Sequence, residues 1–477
     1  MQFDFMETTI SKVHQAILAK EISSRDLVEF YLKRIDAYDK NGPSLNSIVF
    51  VNPKAVEEAE KLDAGFKKTG KLSGPLHGIP VLLKDNIETS GMPTTAGSLC
   101  LAGFVPKNDA FVTAKLCNAG AIILAKTNLH EFAMWGETVS SVLGQTINPY
   151  DLTRTPGGSS GGTGAGIAAN FGLIGLGSDT INSIRSPASA NNLVGIRPTM
   201  GLVSQDGIVP YSLTQDTAGP MCRTVEDAAR TLEIISGHTF SYTPERDSLK
   251  DKRIGILESF FGKEERHIEV NQVIREAIKV FSQNCAEMIP LTENIDSAWL
   301  VSNVSVHLDE FKDHLNSYLR ELPPNVPVHS LEEIIASGKY TPSIKANIEK
   351  AMTLSIGSPN YNKKLILRAE MQTKITKLMA DYKLDAIVYP HQQQLVCKIG
   401  GSQQERNGVL CSVIDFPSIA VPAGFSPPTA DAPLGVPVGL EIIGRPWSEP
   451  VLIGIAYGFE QAAYFRKAPL STLPAHY

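Results

Sequence analysis

Residues 153–199 read TRTPGGSSGGTGAGIAANFGLIGLGSDTINSIRSPASANNLVGIRPT, and no other stretch limits so tightly what the chain can build. Gly157, Gly158, Gly161 and Gly162 frame the pair Ser159-Ser160. Glycine at that density is needed where backbones approach closely or adopt φ/ψ values that a Cβ forbids. A short apolar run, GLIGLGSD, follows and leads into Thr180-Ile181-Asn182-Ser183-Ile184-Arg185. The pattern fits a functional site better than a plain core element.

Three chemistries compete for this loop. GGSSGGTGAG lacks the lysine of a phosphate-binding P-loop and does not fit G-x-G-x-x-G with a ribose-binding acid downstream, so nucleotide binding is disfavoured. Gly157-Gly158-Ser159-Ser160-Gly161 matches the G-x-S-x-G elbow of esterases, but that motif needs a strand directly before the serine. The preceding residues, PYDLTRTP, contain two prolines and carry no strand pattern. The third chemistry joins distant segments. GIPVLLKDNI, residues 78–87, is a continuous apolar run stopped by Lys84, as a buried strand would be. Taken alone, Lys84 is either a snorkelling surface residue or a desolvated lysine held neutral enough to act as a base. No histidine stands where it recommends itself as the base for a serine, and lysine can substitute if burial lowers its pKa. Lys84, Ser159 and Ser183 then form a relay in which Ser159 passes a proton between Lys84 and Ser183. Backbone N–H groups along Thr180, Ile181, Asn182 and Ser183 can receive the oxyanion of a tetrahedral intermediate.

The rest of the chain alternates strands and helices. Ser23 and Asp26 make a capping box before a helix with Leu27, Tyr31, Ile35 and Tyr38 on one face. SIVFV and a KAVEEAEKLD helix follow, then DAFVTAKLCNAG as a helix and AIILAKTN as a buried strand. Residues from Asn128 to Thr155, including His130, Glu131, Met134 and Trp135, have little periodicity and read as a loop over the site. TVEDAARTLEIISG is a helix capped by Thr224 and Asp227 and closed by Gly237. From about residue 240 one strand, RIGILES, precedes charged, helix-rich sequence. DAIVYP, FPSIAVPAG and VGLEIIG then return to strand patterns before a last helix, VLIGIAYGFEQAA. The division is a single domain over 1–477, with an N-terminal helical scaffold (1–70), a core (71–240), a helix-rich elaboration or lid (241–384) and a return to the first sheet (385–477). HQQQ at 391–394 follows the strand end at DAIVYP, so it either faces the cleft or, the preferred reading, is a solvated loop.

Composition narrows the partners. A formal net charge of −6 argues against a nucleic-acid footprint and for a small-molecule substrate. No apolar run approaches the ~18–20 residues that span a bilayer, and MQFDFMETT is acidic where a signal peptide is basic. A cytoplasmic protein without a membrane partner is expected. The six cysteines lack C-x-x-C spacing, so buried reduced thiols are expected rather than disulfides or a zinc site.

Several segments in order, GIPVLLKDNI, TTAGS, KTNLHEFA, NPYDLTRTPGGSSGGTGAG, GSDT with SIRSPAS, VGIRPT and QDTAGPMCRTVEDAA, resemble the amidase signature family of serine hydrolases. FPSIAVPAG and GVPVGLEIIG are a weaker echo. The resemblance implies an α/β/α sandwich with a large mixed sheet flanked by helices, and hydrolysis of a carboxylic amide to acid plus ammonia or amine. It implies no metal or organic cofactor. It implies Lys84 as base, Ser159 as a bridging serine with a cis peptide after Gly158, and Ser183 as the nucleophile that forms an acyl-enzyme. Asp179 and Arg185 correspond to the pair that braces the nucleophile's turn, and Ser160 to a supporting serine. Met134, Trp135 and Gly158 are candidate substrate contacts, and a homodimer is compatible with the reading. Two alternatives stand beside it: the glutaminase component of a tRNA-dependent amidotransferase, which needs partner subunits, and a non-catalytic binding protein on the same fold. The chain departs from the family where relatives read Gly-Gly-Ser, because Ile181-Asn182 precedes Ser183. Asparagine tolerates positive φ and isoleucine does not. The turn therefore either keeps ordinary φ/ψ with the side chains pointing away, or the oxyanion hole is altered.

Overall fold

Runs of valine, isoleucine and leucine that are apolar on both faces of a strand must be covered on both faces, and this chain assembles its runs into one sheet. The computed structural model describes residues 3–238 and 247–473; the expected division at residues 240 and 241 lies outside them. The strands are β1 (Ile48–Val51), β2 (Pro80–Lys84), β3 (Ile122–Thr127), the short hairpin β4 (Val139–Ser140) and β5 (Gly144–Gln145), β6 (Ile174–Asp179), β7 (Val194–Arg197), β8 (Thr217–Cys222), β9 (Arg253–Leu257), β10 (Glu287–Leu291), β11 (Ala386–Pro390), β12 (Ser418–Phe425) and β13 (Pro437–Ile443). Eleven of them form one mixed sheet in the order β1-β3-β2-β6-β8-β7-β12-β13-β11-β9-β10. β2 runs parallel to both β3 and β6, and β9 is parallel to β10 and β11, while the central strands are antiparallel. Helices flank this sheet, and the architecture is the expected α/β/α sandwich.

Local chemistry explains the scaffold. The Ser23 side chain accepts from the Asp26 backbone N–H and Asp26 returns a bond to Ser23, starting the helix Ser24–Ile35. Thr224 caps Val225–Ser236, and Gly237 closes it in the left-handed conformation. Helix Gly161–Ala168 lies directly on β6. A Cβ on Gly177 would sit 2.8 Å from Ser160 Oγ, so the glycine permits that approach.

The region after residue 247 departs from the single strand expected there. β10 is a second strand, pairing only with β9 at the edge of the sheet. Its sequence, EMIPL, is exposed or half-buried over most of its length and contains Pro290. An edge strand tolerates proline and needs no continuous apolar run, which is why it escaped the pattern. Further on, helices His307–Arg320, Leu331–Ser337 and Lys345–Met352 bury their apolar sides together with Phe132 and Met134. They thereby cover the loop that follows β3. Cys117 and Cys285 are exposed, contrary to the expectation of buried thiols, whereas Cys100, Cys222 and Cys411 are buried.

Candidate active site

β2 and β6 are parallel neighbours, so their C-terminal ends lie side by side, the place where open α/β sheets receive ligands. Lys84 ends β2 and is fully buried. Its Nζ donates to Ser159 Oγ at 2.8 Å, to Ser178 Oγ at 2.8 Å and to the Ser178 carbonyl at 3.3 Å. All three acceptors are neutral. Burial therefore lowers the Lys84 pKa to about 7, against the weaker opposing pull of the Asp179 and Asp216 charges. Lys126, equally buried on the adjacent β3, lies 3.4 Å from Asp85. Of the two lysines it is Lys84 that lacks a carboxylate partner.

Ser159 sits in the glycine loop just before helix Gly161–Ala168, and the Gly158-Ser159 peptide is cis. The His130 backbone N–H donates to the Ser159 carbonyl at 3.0 Å, and Thr138 Oγ1 donates to the Gly157 carbonyl at 2.7 Å. Burial drives the His130 pKa down to about 3, which keeps its ring neutral. Ser160 joins two parts of the site: its N–H donates to the Ser183 carbonyl at 3.2 Å and its Oγ to the Ser178 carbonyl at 3.2 Å.

The turn from Asp179 to Arg185 is held from behind. Asp179 accepts from Arg185 Nε at 3.1 Å and Nη2 at 3.0 Å, from Arg197 Nη1 at 2.9 Å and from the Ile184 N–H at 3.0 Å. Burial alone would raise its pKa, but the two guanidinium groups outweigh burial and hold the carboxyl well below the usual range. Arg185 also reaches the Ile181 carbonyl at 2.8 Å, Ser412 Oγ at 2.9 Å, the Gly408 carbonyl at 2.8 Å and the Glu441 carboxylate. Glu441 in turn contacts His391 Nδ1 at 2.7 Å. His391 is fully buried, so the expected solvated loop at 391–394 begins inside the protein. A Cβ on Gly408 would come within 2.6 Å of the His391 ring and 2.9 Å of Asn182, so only glycine fits between them.

The departure at Ile181-Asn182 is resolved by this bracing. Neither residue has positive φ. Ile181 packs into an apolar cluster with Leu300, Val304 and Val409. The Thr180 carbonyl accepts from Gln215 Nε2 at 3.3 Å, the Ile181 carbonyl from Arg185 and from Ser412 Oγ, the latter at 2.6 Å, and the Asn182 carbonyl from the Ser186 N–H at 2.7 Å. In a planar trans peptide the N–H points opposite to the carbonyl. Anchoring these three carbonyls thus turns the N–H groups of Ile181, Asn182 and Ser183 away from the braced side, and none of the three bonds to an acceptor among the described residues. Thr180 is fixed separately, through its hydroxyl bond to Asp216 at 2.6 Å.

Thr180, Ile181, Asn182 and Ser183 form one wall of a cavity of about 330 Å³, and Met134, Trp135, Tyr211 and His307 stand on other sides. Ser183 is only 5% exposed and borders this space. Among the described residues its hydroxyl makes no hydrogen bond, to Ser159 or to any other group. Gly158 does not border the cavity; it is packed behind it, where a Cβ would sit 2.8 Å from Thr138 Oγ1. The sequence reading missed Ser178, Arg197, Gly408, Ser412 and Glu441. Of these, Glu441 carries a usable signal: a lone acid inside the apolar strand VGLEIIG.

Comparison with known proteins bears on this geometry. A family model described as Amidase matches residues 26–453. A probable amidase of Arabidopsis thaliana is 35% identical, over 98% of this chain and 92% of its own length. The A component of the glutamyl-tRNA(Gln) amidotransferase of a Synechococcus species is 33% identical over 96% and 93%. The crystal structure of the native peptide amidase of Stenotrophomonas maltophilia superposes with a TM-score of 0.86 at 34% identity, covering 98% of this chain and 99% of that one.

Proposed function

This chain belongs to the amidase family and is a hydrolase of amide C–N bonds, and from that premise we propose that it cleaves a small carboxylic amide to the acid plus ammonia or amine through an acyl-enzyme on Ser183. Neutral Lys84 takes a proton from Ser159 as Ser159 takes one from Ser183 Oγ, which attacks the carbonyl carbon. The N–H groups of Ile181, Asn182 and Ser183 stabilise the oxyanion of the tetrahedral intermediate. As the C–N bond breaks, the proton returns through Ser159 to the leaving nitrogen. Water, deprotonated along the same path, then attacks the acyl ester and frees Ser183. The link between the two serines closes when substrate is bound, since catalytic hydrogen bonds often tighten only in the complex. No metal or organic cofactor is called for, because Lys84 supplies the base and the turn supplies the electrostatic stabilisation.

The observation that carries the proposal is the 2.8 Å bond to Ser159 from a buried Lys84 that has no carboxylate partner among the described residues. Ser183→Ala is expected to abolish amide hydrolysis with the fold intact, and a fluorophosphonate probe to add mass at Ser183 of the wild type only. Unchanged turnover in Ser183→Ala overturns the assignment, and a folded wild type that stays unlabelled and inactive favours a binding protein. In this reading the protein is cytoplasmic, and the helices around residues 307–352 act as the lid of the cavity; among the described residues no helix is long and apolar enough to cross a membrane. The amidotransferase relatives support a second reading, a glutaminase component of a larger enzyme. Purification of the tagged chain from its own cells separates the two. A free monomer or homodimer active on simple amides supports the first, and stable co-purifying chains with glutamine-restricted activity support the second.

A further inference from the structure

The cavity at Ser183 is lined by three cationic side chains, Lys350, Lys364 and Arg406, and by no carboxylate. The chain as a whole carries a formal net charge of −6, so this lining is not a sample of the average surface. The three cations differ in what already neutralises them. Lys364 donates to Asp309 at 2.6 Å and is paired. Lys350 is exposed, and water solvates its charge. Arg406 is half-buried and has neither arrangement. Its guanidinium carbon stands 5.3 Å from the centre of the Trp135 ring, and it forms no ion pair among the described residues. Glu137 is the carboxylate whose charge acts on it. No Glu137 oxygen comes within ion-pair distance of it among the described residues, and Glu137 Oε1 instead accepts from the Gln403 N–H at 2.8 Å.

Withdrawing a guanidinium from water without a counter-ion is unfavourable. The cation–π contact with Trp135 offsets only a small part of that at a partly exposed site. An anion supplied by a ligand completes the balance, and the planar fork of five N–H donors matches a carboxylate in two parallel bonds. The cavity's size ties this anion to the substrate. About 330 Å³ is at the small end of ligand pockets, which span roughly 300–1,000 Å³, so a group at Arg406 and a carbonyl at Ser183 belong to one small molecule. Resting on the hydrolase reading above, we infer that the amide this site accepts carries a carboxylate, received by Arg406 while the carbonyl to be attacked lies at Ser183. The exposed Lys350 adds a favourable field for an anion entering the cavity.

The test reads binding apart from turnover. In the Ser183→Ala protein, calorimetry compares succinamate with butanamide, placing the carboxylate on the acyl side, and N-acetylglycine with N-propylacetamide, placing it on the amine side. At least one anion is expected to bind ten-fold or more tightly than its neutral counterpart, and the arm in which this occurs identifies the side. Adding Arg406→Gln is expected to erase that preference, costing the anion far more affinity than its neutral counterpart, in a protein that still unfolds in one cooperative thermal transition. Equal binding of anionic and neutral amides, or absence of binding by all four, overturns the inference without recourse to the variant, as does an undiminished preference in Arg406→Gln. Loss of amide turnover by wild type with the anion preference retained would instead fault the hydrolase reading alone.

Discussion

Ser178 Oγ accepts from Lys84 Nζ at 2.8 Å, the same distance that separates Lys84 from Ser159. Asn86 Nδ2 donates to the same Ser178 oxygen at 3.0 Å, which fixes its lone pairs toward the lysine. Ser178 therefore holds the ammonium form of Lys84 in place and stabilises it. Removing that acceptor lowers the lysine pKa further and loosens its aim at Ser159. Ser178→Ala is expected to reduce kcat/KM by about 10-fold or more and to move the acid limb of the pH profile to lower pH. A profile that keeps its position while only thermal stability falls would reduce Ser178 to packing.

With Lys84 as the proposed base, its pKa of about 7 is expected to make activity a titration. kcat/KM rises with pH through about 7 and levels off as the neutral amine becomes the dominant form. Stability follows the same group. Its folded pKa lies below the ~10.4 of an unfolded lysine, so between about 7 and 10 the unfolded chain binds more protons and wild type gains stability as pH rises. Lys84→Met is expected to have no activity and to lack this gain. Its unfolding temperature minus that of wild type should shrink as pH rises from 7 to 10, and a constant difference would exclude a depressed lysine.

Ile181 occupies a turn position with negative φ and contributes its side chain to an apolar cluster. Ile181→Gly places glycine at the first of the two positions where the resemblance leads one to expect it, but deletes buried apolar volume and adds backbone freedom to the unfolded chain. A loss of about 2–4 kcal/mol by urea unfolding is expected, with no increase in kcat. A more active variant would show that isoleucine obstructs the N–H groups of the turn.

Much of the fold could be read from the sequence because its signals are local: the Ser23-Asp26 box, Gly237 after a capped helix, and apolar runs that end at a charge. β10 gave no such signal, because an edge strand needs no buried face. The same kind of signal that singled out Lys84, a charge at the end of or inside an apolar strand, also marks Lys126 and Glu441. Only the fold separates the three, by giving Lys126 the carboxylate of Asp85 and Glu441 the guanidinium of Arg185, and leaving Lys84 with hydroxyls. Ser178, Gly408 and Ser412 are small residues whose roles arise from contacts across the sheet. Arg406 lies in a polar loop where no periodicity marks it. The behaviour of Ile181-Asn182 depended on Gln215, Arg185, Ser412 and Ser186 gripping successive carbonyls, a relationship between segments far apart in the chain.

Glu441 is the distant end of that bracing and gives it a pH signature. Burial alone would raise its pKa, yet Arg185 and His391 together hold it at about 2, while Asp179 is held lower still. A carboxylate depressed in the folded state contributes stability in full above its unfolded pKa of about 4.3, and that contribution disappears as pH falls through the folded value. Wild type is therefore expected to lose stability steeply between about pH 4 and 2. Glu441→Gln removes one proton's share of that dependence, so its urea midpoint should fall less steeply across the same range. At pH 7 it leaves Arg185 short of one buried partner and costs about 3 kcal/mol or more. Arg185 also holds the Ile181 carbonyl, so kcat/KM for any amide substrate drops by about 10-fold while KM changes less. Parallel wild-type and variant stability curves from pH 7 to 2, or a fall in stability with kcat untouched, would separate Glu441 from the turn it is argued to brace.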